Sequence, residues 1–444
     1  MSFLLSAGIT GASGGALFLG TKPDNFALKP REAFLLTNVS WLVLSTYAAI
    51  PFMLELHLSY TDAFFETMSG ITTTGSTVLS GLDHMEKGVL LWRSLLQWLG
   101  GIGFIVMAVA VLPFLKVGGM RLFQSESSDW SEKVMPRSGS IAKRIVAIYF
   151  WLTITCAYFY YLGGMTGFEA INHAMTTLST GGYSTSDSSM ANFTNPYIHW
   201  VAIIFMLLGS LPFVLFVRFF KGDIQSLLKD RQVRAFIGFM LILWGFFSLW
   251  LVFNSQYNLW QAFTLVAFNT TSVVTTTGFA LTDYTLWGGF AAALFLFLTV
   301  IGGCSGSTTG GIKIFRLQIG ARLLGIQLRL LSHPRSCLVH SYNGQLITED
   351  ILRSLIGFGF FFGLLSILMT LLLCLMGLDL ITSMSGALTA IANVGPGLGD
   401  IIGPAGNFKS LPDSAKWLLS GGMLMGRLEI TTVLVLFTAS FWKD

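Results

Sequence analysis

Threonine and glycine recur in one short pattern four times along this chain. The copies are Ile71-Thr72-Thr73-Thr74-Gly75-Ser76-Thr77, Thr177-Leu178-Ser179-Thr180-Gly181-Gly182-Tyr183, Val274-Thr275-Thr276-Thr277-Gly278-Phe279 and, weakest, Ala392-Asn393-Val394-Gly395-Pro396-Gly397. The chemistry such a stretch supplies is coordination of a cation by oxygen. Glycine permits φ > 0, so successive carbonyls can turn toward one axis, and threonine adds hydroxyl oxygens or braces the turn. Four strands of this kind make rings of oxygens that replace an ion's hydration shell. Small residues at helix crossings would look similar, but packing alone does not require four copies at one spacing.

Each copy follows a segment with a helical pattern that is too short to span a membrane. Counting back ten residues from the aligned glycines Gly75, Gly181, Gly278 and Gly395 reaches Phe65, Ile171, Phe268 and Ser385, and the residues between are mostly apolar or small. A three-turn helix is roughly 15 Å long, about half the hydrocarbon thickness of a bilayer. It enters a membrane without crossing it. The partial negative charge at its C-terminus then faces the membrane centre, where it stabilises a cation.

The surrounding elements must be membrane helices. Of 444 residues, 53% are hydrophobic and 11% charged, about half the charge of a soluble domain, which excludes an ordinary water-soluble enzyme. The formal net charge of +4 does not point to nucleic acid. Long apolar segments fall at 33–54, 88–115, 141–162, 196–220, 235–253, 286–301 continuing past 312, 351–376 and 414–441, with one short segment between the members of each successive pair. The stretch 3–20 reads as a short membrane helix, because a signal peptide would carry a basic n-region and a clean cleavage site. The unit is helix, re-entrant half-helix, extended loop, helix, written four times. Non-helical backbone at membrane depth is tolerated only beside water or protein, so the four copies require a shared aqueous axis.

Charge orients the chain. Lys116, Arg121, Lys133, Arg137, Lys143 and Arg144 lie in one connection, Arg218, Lys221, Lys229, Arg231 and Arg234 in the next, and Lys313, Arg316, Arg322, Arg329, Arg335 and Arg353 in the third. These are cytoplasmic by the positive-inside rule. The segments after the Thr/Gly stretches hold acids instead, Asp83, Glu86, Asp187, Asp283, Asp400 and Asp413, an outer vestibule that concentrates cations. Asp62 and Glu169 fall near half-helix N-termini, where an acid suits the dipole and pairing is expected rather than ion binding. Cys156, Cys304, Cys337 and Cys374 show no metal spacing.

Residues 302–311 contain five glycines, Gly302, Gly303, Gly306, Gly310 and Gly311, together with Ser305, Ser307, Thr308 and Thr309. Each glycine costs a helix about 1 kcal/mol relative to alanine, so a break opens mid-membrane. A polar loop just below the oxygen rings would obstruct the path and act as a gate. A phosphate-loop reading fails because Ile312 separates Gly311 from Lys313 and no strand precedes. Arg427, near the middle of the last apolar segment, must face water or a partner. Glu429 lies on another face of the helix, so the expected partner is the 302–311 loop, the alternative being a structural salt bridge with a neighbouring helix. Lys313 either touches that loop or snorkels to the cytoplasmic interface.

These features, with Asp62-Ala63-Phe64-Phe65-Glu66, the run from Ile301 to Lys313 and Gly426-Arg427-Leu428-Glu429-Ile430, resemble the Trk/Ktr/HKT potassium transporter superfamily over essentially residues 1–444. The likeness is strongest to the TrkH/TrkG-type membrane subunits of bacterial Trk uptake systems. It implies an all-α polytopic membrane protein of four fused helix–pore helix–loop–helix modules around a pseudo-fourfold pore. The divisions are an N-terminal accessory helix and linker at 1–31 and modules at 32–120, 121–222, 223–340 and 341–444. The implied K⁺ filter is Thr73, Thr74 and Gly75; Ser179, Thr180 and Gly181; Thr276, Thr277 and Gly278; and Asn393, Val394 and Gly395. The implied gate is Gly302, Gly303, Gly306, Gly310, Gly311, Lys313 and Arg427, and the outer vestibule Asp83, Asp187, Asp283 and Asp400.

In plant relatives a serine at the first glycine position accompanies sodium transport, so four glycines favour K⁺. The fourth loop departs most from the family, with Asn-Val for Thr-Thr and Pro396 following. Members usually carry two accessory helices before the first module, where 3–20 supplies at most one. The resemblance further implies a homodimer in the bacterial inner membrane, surrounded by lipid, with its filter loops facing the periplasm or exterior. It implies control by a separate cytosolic TrkA-type ring that binds NAD or ADP/ATP, with no nucleotide on this chain and no nucleic acid. The alternative is a Na⁺-selective or H⁺/Na⁺-coupled symporter, which needs intramembrane acids; Glu55, Asp62, Glu66 and Glu429 are the candidates. An intramembrane enzyme would need clustered acids, histidines or a metal motif inside the bilayer, and the sequence offers none.

Overall fold

The computed structural model describes residues 1–21, 29–110, 134–334, 341–342, 345–346 and 348–443. Lys22, Lys116, Arg121, Lys133, Arg335, Cys337 and the boundary at 120/121 lie outside the described residues, as does the side chain of Arg137. A helix α1 (Ser2–Gly20), whose Phe3 packs edge-on against Trp92, precedes a fourfold succession of elements. The first module holds α2 (Pro30–Ala48), α3 (Ile50–Leu56), the short α4 (Tyr60–Ile71) and α5 (Lys87–Ala110). The second holds α6 (Val134–Leu162), short α7 (Gly167–Leu178), α8 (Pro196–Gly209) and α9 (Phe213–Phe219). The third holds α10 (Arg231–Asn254), short α11 (Leu259–Val274), α12 (Gly289–Val300) and α13 (Ile314–Ser332). The fourth holds α14 (Glu349–Leu375), short α15 (Leu380–Ala392), α16 (Asp413–Arg427) and α17 (Ile430–Leu434). Ser341–Tyr342 and Gln345–Leu346 form a small antiparallel pair before α14.

The four short helices share one construction. Each starts at a polar N-cap, Ser59, Thr166, Asn258 or Asp379, whose side chain accepts the N–H three residues on, the device that satisfies an orphan first-turn donor. Glu169 and Gln261 complete capping boxes. The helices begin four to nine residues before the expected Phe65, Ile171, Phe268 and Ser385 and end before the Thr/Gly turn. Their caps, rather than their distance from the glycine, set where they start.

Among the described residues, six helices are long and apolar enough to cross a membrane, and up to eight spans result if each bent pair counts as one. Large apolar side chains on their outer faces, Ile242, Phe246 and Leu249 on α10 and Leu364, Ile367 and Leu371 on α14 among them, are exposed. In a chain this poor in charge, that surface belongs in lipid. The buried apolar residues form two large clusters, one drawn mainly from the second and third modules and the other from the first and fourth.

Two expected continuous helices are broken. The 196–220 segment turns by 94° between α8 and α9, and the 414–441 segment by 113° after α16. At the first, Pro212 lacks a backbone donor and disfavours helical Leu211. The freed carbonyls of Gly209 and Ser210 accept from Thr308 N at 3.2 Å and Cys304 N at 3.0 Å, so the glycine-rich loop of the third module lodges in the bend of the second. At the second, Glu429 takes φ 65°, outside any helix. The break expected within 302–311 is present, flanked by α12 and α13, with Ile301 and Ile312 bridged in parallel.

Candidate functional site

Each short helix ends in the same tight turn. Thr73, Thr180, Thr276 and Asn393 all sit at φ 53–56°, a left-handed conformation unusual for a β-branched residue. The next residue then donates back into its helix, Thr74 N to Ser69 O at 2.9 Å, Gly181 N to Thr176 O at 2.9 Å, Thr277 N to Ser272 O at 2.8 Å and Val394 N to Thr389 O at 2.9 Å. This repeat corrects the expected register of the second loop. Thr180 matches Thr73, so Gly182 rather than Gly181 matches Gly75, Gly278 and Gly395. Two adjacent glycines are indistinguishable by composition, and only the hydrogen bonding separates them. Gly75, Gly182 and Gly278 have φ of 91°, 76° and 81°, whereas Gly395 does not take positive φ, consistent with its departure in sequence.

The turns close on one another. A Cβ placed on Gly75 would stand 2.2 Å from Gly181 O, one on Gly182 1.9 Å from Thr277 O, one on Gly278 2.8 Å from Gly395 N, and one on Gly395 3.2 Å from Gly75 O. The contacts run from the first turn to the second, third and fourth and back to the first. Thr73, Thr180, Thr276 and Asn393 are buried and Gly75, Gly182 and Gly278 half-buried, and neighbouring backbone leaves no room for a side chain at these glycines. Hydroxyls brace the turns from behind, Thr72 with Thr74 at 2.7 Å and Thr275 with Thr277 at 2.8 Å. In the second loop, where Gly181 supplies no hydroxyl, Gln97 spans the gap by donating to Gly181 O at 2.7 Å and accepting from Tyr183 N at 3.0 Å.

A second layer sits at the middle of each short helix. Glu66 accepts from Val78 N at 3.0 Å, Asn269 from Leu281 N at 3.1 Å and Ser385 from Leu398 N at 2.9 Å. His173 reaches Ser184 Oγ at 3.0 Å. The first of these is ionic: Arg93 Nε donates to Glu66 Oε1 at 2.8 Å, with both side chains buried. Arg93 is absent from the residues expected at the site. An arginine within an otherwise apolar segment was the available signal.

The 302–311 loop lies directly beneath the ring. Thr180 Oγ1 donates to Thr308 Oγ1 at 3.1 Å, Gly310 N donates to Thr276 Oγ1 at 2.8 Å, and a Cβ on Gly310 would lie 2.2 Å from Ala392 O. The loop thus touches three of the four turns. Arg427, 1% exposed, donates through Nη1 to Thr308 O at 2.7 Å, the partner expected from the sequence, and its guanidinium stacks over Phe104. Lys313 donates to Thr309 O and, at 2.9 Å, to Thr309 Oγ1. Glu429 pairs with Arg316 at 2.6 Å rather than with Arg427. Lys313 touches the loop rather than snorkelling, and it and Arg316, both of the third basic connection, are buried, with the start of α13 held against the loop by Ile314 N donating to Gly303 O. The cavity bounded by Phe104, Gly310, Lys313, Arg316, Arg427 and Glu429 holds about 20 Å³, room for roughly one water.

Gly302, Gly303 and Gly311 form the base of the loop. Gly302 N donates to Ile312 O at 2.9 Å and Ile314 N to Gly303 O at 3.1 Å, while Gly306 and Gly311 take positive φ. Of the outer acids, Asp187 accepts from Gly81 N at 2.7 Å and Leu82 N at 3.2 Å, and Asp83 accepts from Asp187 N at 3.3 Å. Asp283 caps the turn at Thr285, and Asp400 lies in the first turn of Gly399–Ile402. Three of the four expected vestibule acids, Asp83, Asp187 and Asp283, are therefore occupied in holding loops. Asp62 pairs with Lys416 at 2.7 Å and Glu169 with its own N-cap, as the helix dipole favours.

The family described as TrkH, cation transport protein, matches residues 3–444. The chain is 51% identical to the Trk system potassium uptake protein TrkI of Halomonas elongata over 446 aligned residues, covering 100% of this chain and 90% of that protein. It is 37% identical to the Trk system potassium uptake protein TrkH of Escherichia coli K12, covering 98% and 90%. The crystal structure of the potassium transporter TrkH from Vibrio parahaemolyticus superimposes with a TM-score of 0.92 at 35% identity, covering 100% of this chain and 92% of that one.

Proposed function

From the TrkH family of cation transport proteins, to which this chain belongs, we propose that it is the membrane subunit of a potassium uptake system. The relatives matched along its length are transporters, and the chain is a multi-pass membrane protein whose activity is transport rather than catalysis. K⁺ is the cargo. The filter is the ring of four turns at Thr73-Thr74-Gly75, Thr180-Gly181-Gly182 with Ser179 behind it, Thr276-Thr277-Gly278 and Asn393-Val394-Gly395. The 302–311 loop with Lys313 and Arg427 is the gate, and the acids Asp83, Asp187, Asp283 and Asp400 line the outer mouth.

The observation that carries this reading is the closed contact path through Gly75, Gly182, Gly278 and Gly395. A dehydrated K⁺ needs oxygens on all sides, and four backbone turns meeting edge to edge supply them. Beneath, the 302–311 loop packs against three of the four turns, so conduction requires the loop to move. The cationic groups of Arg427 and Lys313 add an electrostatic barrier while it stays.

Three of the four acids that could serve ion coupling are already ion-paired: Glu66 with Arg93, Asp62 with Lys416 and Glu429 with Arg316. That favours passive K⁺ flow over a coupled Na⁺ or H⁺ symporter. The remaining parts of the proposal are the modules at 32–120, 121–222, 223–340 and 341–444, a homodimer in the bacterial inner membrane with filter loops toward the periplasm, and a cytosolic nucleotide-binding ring acting from the basic side. Structures solved in K⁺ and again in Na⁺ test the core of it. Ion density centred on the four turns in K⁺ is expected, and density that avoids them removes the assignment.

A further inference from the structure

One guanidinium joins two neighbouring loops of the ring. Arg93 donates from Nε to Glu66 Oε1 at 2.8 Å, from Nη1 to Ser184 O at 3.0 Å and from Nη2 to Thr77 Oγ1 at 3.2 Å. Thr77 and Ser184 stand two residues after Gly75 and Gly182, so the fork grips the same position of the first and second loops. Glu66 accepts in turn from Thr77 Oγ1 and Val78 N. Tyr183 lies under the guanidinium at 4.0 Å, and its hydroxyl donates to the Glu66 carbonyl at 2.8 Å and approaches Ser76 O at 3.3 Å.

The other loops use no such charge. His173, Asn269 and Ser385 each hold only their own loop. Outside the ring, neutral backbone bonds such as Met190 N to Ala280 O at 3.2 Å and Phe408 N to Thr77 O at 2.9 Å join neighbouring segments.

We propose that Arg93 is a specificity-determining positioning residue: with Glu66 and Tyr183 it sets the spacing between the first and second filter loops and hence the preference for K⁺ over Na⁺. This rests on the reading of the ring as the filter. Three donors of a planar fork fix three acceptors at once, which neither a lysine nor a neutral amide reproduces. The contacts of the gate loop lie elsewhere, on Thr180, Thr276 and Asn393, so Arg93 acts on selectivity and leaves gating alone.

The test is uptake of radioactive Rb⁺ and Na⁺ by proteoliposomes of Arg93→Gln, Arg93→Lys, Glu66→Gln and Tyr183→Phe, with Gly75→Ser as the control on the filter itself. The Rb⁺/Na⁺ uptake ratio is expected to fall about fivefold or more in Arg93→Gln and Glu66→Gln and about twofold in Tyr183→Phe, which keeps the charges and loses one donor. Arg93→Lys restores less than half of the lost ratio. A purely structural role would lower yield and melting temperature but leave the ratio of the folded fraction unchanged, and that result overturns the proposal. If the charge-removing variants do not fold, Tyr183→Phe and Arg93→Lys decide it alone, and an unchanged ratio in both overturns it. Where Gly75→Ser shifts the ratio and the Arg93 variants do not, the positioning role fails while the filter reading stands. Where neither shifts it, both fall.

Discussion

Arg427 and Thr308 are joined by a 2.7 Å hydrogen bond from guanidinium to backbone carbonyl across the loop that underlies the four turns. The bond ties the end of α16 in the fourth module to the break in the third, and Arg427 has no carboxylate partner among the described residues. A charged donor spent on a loop carbonyl holds that loop in place without a competing ion pair.

Arg427→Ala is expected to loosen the gate. A hydrogen bond to a charged group is worth about 1.5–3 kcal/mol, so the open-to-closed ratio rises about tenfold to a hundredfold. Passive K⁺ flux into proteoliposomes reads this directly, and flux equal to the parent protein would remove the gate assignment.

The register of the second loop separates two adjacent glycines. A Cβ on Gly182 meets the Thr277 carbonyl at 1.9 Å, whereas one on Gly181 meets the Gln97 side-chain amide at 2.4 Å. Backbone cannot yield as a side chain can. Gly182→Ala is therefore expected to abolish K⁺ uptake, while Gly181→Ala keeps part of it and regains more when combined with Gln97→Ala. Growth of a K⁺-uptake-deficient strain at limiting K⁺ measures both, and the opposite order would restore the register read from sequence.

Within the loop, Gly310 and Gly306 should differ sharply. A Cβ on Gly310 would lie 2.2 Å from Ala392 O, while one on Gly306 has nothing nearer than Pro212 at 3.9 Å. Gly306→Ala carries only the left-handed backbone penalty, about 1–2 kcal/mol. Gly310→Ala displaces the loop and is expected to leak K⁺. Equal leak in the two variants would argue against close packing under the ring.

Glu429→Gln removes the partner of Arg316. The pair is mostly buried, with side chains 6% and 16% exposed. Its loss falls between the roughly 0–1 kcal/mol of an exposed pair and the about 3–5 kcal/mol of a buried one. A lower melting temperature and a higher resting flux are expected together, because Arg316 stands on the first turn of α13, directly after the loop. A stability loss with unchanged flux would make the pair a brace only.

What the sequence determined by itself is whatever neighbours along the chain decide. Half-length helices follow from short apolar runs closed by a Thr/Gly stretch, and a break in the third module follows from five glycines in ten residues. The burial cost of a lone arginine pointed Arg427 toward the loop. These are local propensities and single-residue solvation energies, readable in one window. Tertiary structure decided the rest. The bend at Pro212 had a local signal, but its carbonyls are satisfied by Cys304 and Thr308, nearly a hundred residues on. The αL turn at Thr180 rather than Ser179, and the pairing of Glu66 with Arg93 and of Glu429 with Arg316, join groups that no spacing rule links. Closure of the ring from Gly395 back to Gly75 is the clearest case, since no segment encodes the order in which four separate turns meet. That order exists only once the helices behind them have packed.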